Sequence, residues 1–112
     1  MSQFYHLPEF EKELKKLAKK YPSIMGDIED IKPILSNSPT GVGKNFTIIN
    51  ITGQIKIVKV RIQCESLRSR VIRLIYAFRE DRIEFMYLEL YFKGDKANED
   101  RERIRQYLKG IL

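Results

Sequence analysis

Apolar and polar positions alternate with a period of two through three consecutive runs between residues 55 and 96, IKIVKVRIQC, VIRLIYAF and IEFMYLELYF, separated by ESLRS and REDR. Runs of this length, rich in Ile, Val, Tyr and Phe and bounded by polar turns, predict three strands of an antiparallel meander. Alternation assigns side chains to faces. Val58, Val60, Ile62 and Cys64 share one face of the first run, and Lys59, Arg61 and Gln63 the other. In the second run Ile72, Leu74, Tyr76 and Phe78 oppose Arg73 and Ile75. In the third, Met86, Leu88, Leu90 and Phe92 oppose Phe85, Tyr87, Glu89, Tyr91 and Lys93. With the apolar rows on a common core, Lys59, Arg61, Arg73, Tyr87, Tyr91 and Lys93 gather on the opposite face, where function is expected.

Upstream of the runs the apolar period changes to that of a helix. Phe10, Leu14, Leu17 and Tyr21 fall on one helical face, with Pro8 at the start, Glu9 and Glu11 in the first turn and Lys15, Lys16, Lys19 and Lys20 toward the end, as the helix dipole favours. Pro22 interrupts; Ser23 is a suitable cap for a second helix carrying Ile24, Ile28, Ile31 and Leu35, which Pro33 is expected to bend or end early. The pair makes a helical hairpin with one apolar side to bury, and a sheet to bury it on. Residues 37–45, NSPTGVGKN, read as a loop, and their GVGK lacks both the spacing of a phosphate-binding loop and a preceding strand. Phe46 to Thr52 forms another strand, turned at Gly53 and Gln54. Ile55 and Ile57 are out of phase with Val58, which points to a bulge or twist near Ile57. Phe4 to Leu7 predicts a short edge strand, and Asn98 a cap for a last helix with Ile104, Tyr107, Leu108 and Ile111 on one side. The expected fold class is thus α+β: a twisted antiparallel sheet of four to five strands against an N-terminal helical hairpin, with a C-terminal helix. Residues 1–112 are read as one domain.

Charge sharpens this picture. Residues 9–35 carry six bases and six acids, whereas residues 55–96 carry ten bases and six acids, so most of the net charge of +6 belongs to the sheet. A basic sheet face suits a polyanionic partner through counterion release and steering. The one cysteine, Cys64, falls on the core face and fits a reducing cytosol. Neither an export leader nor a membrane-spanning run is read, so a cytoplasmic protein with no membrane partner is expected.

One His and one Cys cannot build a zinc site or a Cys-His pair with a supporting ligand, and His6 reads as a strand-edge side chain. The acids are scattered as partners for lysines, with no two carboxylates forced together by spacing, which disfavours a metal-dependent nuclease; no metal site or cofactor is expected. The basic and tyrosine face remains. RNA can be cut without a metal when its own 2′-hydroxyl attacks, provided a base takes that proton, cations stabilise charge on the phosphoryl oxygens and an acid protonates the leaving oxygen. A lysine crowded by Arg61, Arg73 and Lys93 would have its pKa lowered toward that of a useful base. Arginines would hold the phosphate, and Tyr87 or Tyr91 could stack on a base. The bland alternative is a solvated sheet face under the C-terminal helix.

The chain resembles the RelE/ParE superfamily of small basic toxins from toxin–antitoxin pairs. The likeness runs from residues 10–22 through Ile-Lys-Pro-Ile-Leu at 31–35 and is most specific in KVRI at 59–62, RLIYAF at 73–78 and YFKGDKANED at 91–100. It implies a helical hairpin on a twisted sheet and, for RelE-like members, ribosome-dependent cleavage of messenger RNA by strand-borne Lys and Arg with a Tyr. Lys59 and Arg61 resemble the basic pair of the family's central strand, Arg73 the arginine of its R-L-x-Y strand, and Lys93 and Lys96 the lysines after the last strand in HigB-like relatives. The expected catalytic set is Lys59, Arg61, Arg73, Lys93 and Tyr91, with Lys56, Tyr87 and Lys96 holding substrate. RelE has an arginine and then a tyrosine after this point, whereas here the nearest tyrosines are Tyr91 and Tyr107. The partners implied are a cognate antitoxin, the ribosome and messenger RNA. The alternative function is that of a ParE-like toxin that inhibits DNA gyrase without cutting RNA.

Overall fold

A computed structural model describes residues 2–64 and 71–111. The connection expected at residues 65–69 lies outside the described residues. In chain order the elements are β1 (Gln3–His6), α1 (Pro8–Lys20), α2 (Ile24–Asn37), β2 (Phe46–Thr52), β3 (Ile55–Gln63), β4 (Val71–Arg79), β5 (Glu84–Phe92) and α3 (Arg101–Ile111). The strands form one sheet in the order β1-β5-β4-β3-β2. β2 to β5 are the antiparallel meander expected, while β1 enters alongside β5 in parallel, so the sheet is mixed.

The hairpin covers one face of this sheet. Phe10 and Leu17 of α1 and Ile24, Ile28, Ile31 and Leu35 of α2 are buried against Val58, Val60, Ile62, Cys64, Ile72, Leu74, Tyr76 and Leu90. Both predicted stripes are the ones buried. α2 does not end at Pro33 but runs on to Asn37. The proline removes one main-chain bond, yet Ile31 and Leu35 on either side of it are anchored in the core, and packing outweighs the lost bond. Ser23 is already helical in backbone angles and bonds Asp27 rather than capping the helix with its side chain. At α3 the cap is Asp100 instead of Asn98: its carboxylate accepts from the Arg103 amide at 3.0 Å.

α3 lies on the other face. Its Ile104 is buried with Ile55, Ile57, Ile75, Ala77, Leu88 and Tyr91 in a second, smaller core. This core explains the phase of Ile55 and Ile57. Pairing of β3 with β4 runs unbroken from Ile55 to Gln63, so β3 has no bulge; the register shift lies in β2 between Ile48 and Asn50, opposite Ile57 and Val58. A further shift falls between β4 and β5 at Ile75 and Tyr76, where Ile75 pairs with Glu89 and Tyr76 with Tyr87. An extra residue in β5 reverses the facing of everything before it. Leu90 therefore joins the hairpin core as expected, but so do Phe85 and Tyr87, while Leu88 packs under α3.

The turn into β5 places Ile83 at a positive φ of 52°. Past His6 the outer edge of β5 has lost its strand neighbour, and two side chains take over. The Glu13 carboxylate of α1 accepts from the Leu90 amide at 3.1 Å, and Arg103 of α3 donates to the Leu88 carbonyl at 2.8 Å and to both oxygens of Glu13 at 2.9 Å. The edge is closed and α3 is tied to α1 by the same four groups.

Candidate functional site

Along the α3-facing surface of the sheet the residue type changes abruptly. On β3 the row reads Ile55, Ile57, Lys59, Arg61, and on β4 it reads Ala77, Ile75, Arg73. Cross-strand pairing sets Lys59 beside Ile75 and then Glu89, and Arg61 beside Arg73 and then Tyr91. The apolar end is covered by α3; the polar end is the candidate site. Pairing thus brings together Lys59, Arg61, Arg73 and Tyr91, four of the five residues expected to be catalytic. Lys93, the fifth, is exposed in the turn after β5, at the border of the row.

Two expected substrate contacts lie elsewhere. Lys56 is on the hairpin side, because β3 is unbroken and Lys56 shares the parity of Val58; its ammonium is 2.6 Å from Glu80. Tyr87 is turned to the hairpin side by the irregularity in β5 and is 3% exposed, its ring 5.2 Å from that of Phe10 and 5.9 Å from that of Phe4. Burial pushes its hydroxyl well above the usual tyrosine range, and it cannot stack on a ligand held by Lys59. Lys96 does stand at the row, over the Tyr91 ring at 5.3 Å.

The row also holds two carboxylates. Glu89 of β5, 1% exposed, accepts from the Lys96 ammonium and, at 2.7 Å, from the Asp100 amide. Glu99 accepts from Lys59 at 3.0 Å and lies 3.7 Å from the Arg101 guanidinium. Burial pushes the Glu99 carboxyl up, but the Lys59 hydrogen bond and the charges of Lys59 and Arg101 together hold it below the ordinary value. Spacing had offered no paired carboxylates because the two sit ten positions apart, one in a strand and one before a helix. Parity did place Glu89 on this face. An acid inside the apolar run YLELYF was the available signal.

These contacts define the chemistry open to the site. Lys59 is matched by a carboxylate rather than crowded by like charges alone, so the cationic crowding expected around it is offset. Arg73, 8% exposed, has one terminal nitrogen buried without a hydrogen-bond partner among the described residues, a donor with capacity to spare. Arg61 is exposed. The Tyr91 hydroxyl is pushed up by burial and by Glu99 and Glu89, against the opposing Arg73, so it keeps its proton at neutral pH. The assembly offers fixed cations for an anion and a protonated hydroxyl beside them.

No family model and no curated protein matches the chain. Among solved structures, it is similar to one in the archaeal RelE–RelB complex from Pyrococcus horikoshii, at a TM-score of 0.52 and 14% identity over 83% of this chain and 96% of that one. The fold is therefore RelE-like. No helix among the described residues is long and apolar enough to cross a membrane.

Proposed function

We propose that this chain is the toxin of a toxin–antitoxin pair and that it cuts messenger RNA in the decoding site of the ribosome without a metal, thereby blocking translation in the cytoplasm. The observation that carries this reading is the row of Lys59, Arg61, Arg73 and Tyr91 at the polar end of the α3-facing surface of a RelE-like sheet. In the reaction the 2′-hydroxyl oxygen attacks the adjacent phosphorus, the bond to the 5′ oxygen breaks, and a cyclic 2′,3′-phosphate and a free 5′-hydroxyl result. A base accepts the 2′-hydroxyl proton. Arg61 and the unpartnered, buried nitrogen of Arg73 receive the phosphoryl oxygens as charge grows on them, and Lys59 adds a third cation. Tyr91 is the group with a proton to deliver to the departing 5′ oxygen. Lys93 and Lys96, at the end of the row, hold flanking phosphates. The cognate antitoxin would silence the site by covering this row and laying an amphipathic helix on exposed apolar surface.

The test is primer extension on a reporter message in a translating extract, with the wild-type chain and with Arg73→Ala. New 5′ ends that require engaged ribosomes and vanish with Arg73→Ala are the expected result. In cells, the Lys59→Ala, Arg61→Ala, Arg73→Ala triple variant should stay folded and no longer arrest growth. Intact message together with inhibited gyrase supercoiling would replace this reading with that of a ParE-like toxin.

A further inference from the structure

The segment from residue 93 to residue 100 is fastened to the polar end of the sheet by two ion pairs of opposite sense. A strand cation, Lys59, holds the segment's Glu99; a strand anion, Glu89, holds the segment's Lys96 and the Asp100 amide. Two residues along the same strands from Ile75 and Glu89 lie Arg73, with its spare donor, and Tyr91, its cross-strand partner. The Glu99 side chain is 6% exposed, but it forms part of the wall of a groove of ≈ 310 Å³ whose other lining includes Asn50, Arg101 and Arg105. An anion arriving through this groove would meet Arg101, 3.7 Å from Glu99, and Arg105, which Glu102 already holds, and then the carboxylate that occupies Lys59.

We infer that the Glu99 carboxylate stands where a phosphate group binds, so that Lys59 is a phosphate subsite and residues 93–100 are its internal competitor. The inference rests on the RNA-directed reading of the row and names what a phosphodiester must displace. α3 itself is not the moving part. Its apolar side closes a core in which Ile57, Ile75, Ala77 and Leu88 are fully buried, and lifting the helix would expose all of them. The preceding segment has no such anchor: Lys93, Gly94, Asp95, Ala97 and Asn98 are exposed, and it is held by polar contacts that a phosphate can exchange. A partly exposed ion pair is weak enough to yield, whereas a phosphate offers more charge and more acceptors than the carboxylate it replaces.

The experiment measures binding of a short single-stranded oligonucleotide, made uncleavable by 2′-deoxy substitution, by fluorescence anisotropy. Glu99→Gln should bind roughly three- to tenfold more tightly than wild type. Asp95→Asn, the same charge change on the exposed outside of the segment, should bind much less tightly than Glu99→Gln. In a Lys59→Met background the gain from Glu99→Gln should disappear. Circular dichroism of each variant verifies that it is folded. A second measurement follows the Glu99 carboxyl carbon by NMR as inorganic pyrophosphate is added to the wild-type chain, and its signal should move toward that of an unpaired carboxylate. Equal gains for the two charge changes, weaker binding by Glu99→Gln, or oligonucleotide binding with an unmoved Glu99 signal would overturn the competitor while leaving the RNA reading intact. Displacement by pyrophosphate without any oligonucleotide binding would uphold the phosphate subsite, and absence of new 5′ ends in the translating extract would then overturn the RNA reading separately.

Discussion

The two ends of the α3-facing surface share the same strands and, on β3 and β4, the same alternation and main-chain pairing, yet they are opposite in character. At one end Ile57, Ile75, Ala77 and Leu88 disappear beneath Ile104 and its neighbours in α3. At the other, two to four residues along the same strands, Lys59 is held by Glu99 and Arg61 is exposed, while Arg73 and Tyr91 lie beside them, 8% and 6% exposed. Strand geometry decides only which side a residue faces; what covers that side decides whether it contributes stability or chemistry. Here a helix of 11 residues covers the apolar end with its own apolar side, whereas the polar end meets only the charged segment before the helix. Stability and function are therefore expected to separate along the strands, not between the two faces of the sheet.

The sharpest way to break this comparison is to change one residue at each end. Ile75→Ala, at a fully buried position, should lower unfolding free energy by about 2–5 kcal/mol, the transfer and cavity cost of a large aliphatic side chain. Arg73→Met, two residues away, removes a guanidinium with an unpartnered buried nitrogen and should cost less than ~1 kcal/mol. Urea unfolding of the two variants measures both. Similar losses would mean that the polar end is part of the structural core after all.

The next effect is on what holds α3 in place. Arg103→Ala takes the donor from the Leu88 carbonyl and leaves Glu13 with only the Leu90 amide, and it should cost about 1–3 kcal/mol. Because Arg103 and Glu13 act as one unit, Glu13→Ala in the Arg103→Ala background should add much less than it does alone. Urea unfolding of the double-mutant cycle reads this directly, and additive losses would show that the edge is not closed by a shared network.

How far these two ends could be read from the sequence depended on unbroken pairing. In β3 and β4 every residue lies on the side that alternation gives, so Lys59, Arg61 and Arg73 were placed together correctly. In β5 a single irregularity reverses Phe85, Met86, Tyr87 and Leu88, and period-two counting has no means of locating it when both parities are apolar. Lys56 illustrates the converse. A bulge inside β3 would have brought it to the row, but Ile55 and Ile57 owe their phase to the second core, and the irregularity sits across the ladder in β2. The hairpin was legible because its stripes are long and strictly periodic. The Lys59–Glu99 contact was not: it joins positions 40 apart, and no local spacing encodes where a turn will deliver its carboxylate.

The smallest expected effect tests the polar end on its own terms. Burial pushes the Glu99 carboxyl up, but the Lys59 hydrogen bond, a backbone hydrogen bond and the charges of Lys59 and Arg101 together hold it below its ordinary value of 4.5. A carboxylate with a depressed folded-state pKa contributes stability above its unfolded-state pKa, and that contribution is lost as pH falls through the folded-state value. The stability difference between wild type and Glu99→Gln should therefore be steady from neutral pH down to about pH 5 and shrink below it. Because Lys59 is partly exposed, the whole difference should stay below ~1 kcal/mol. Urea unfolding at a series of pH values measures it, with Ile75→Ala as the contrasting variant, since no charge enters its cavity. A Glu99→Gln difference that held constant into acid would mean that the carboxylate is not matched to Lys59 in solution, and the polar end would then be a row of free cations instead of a paired one.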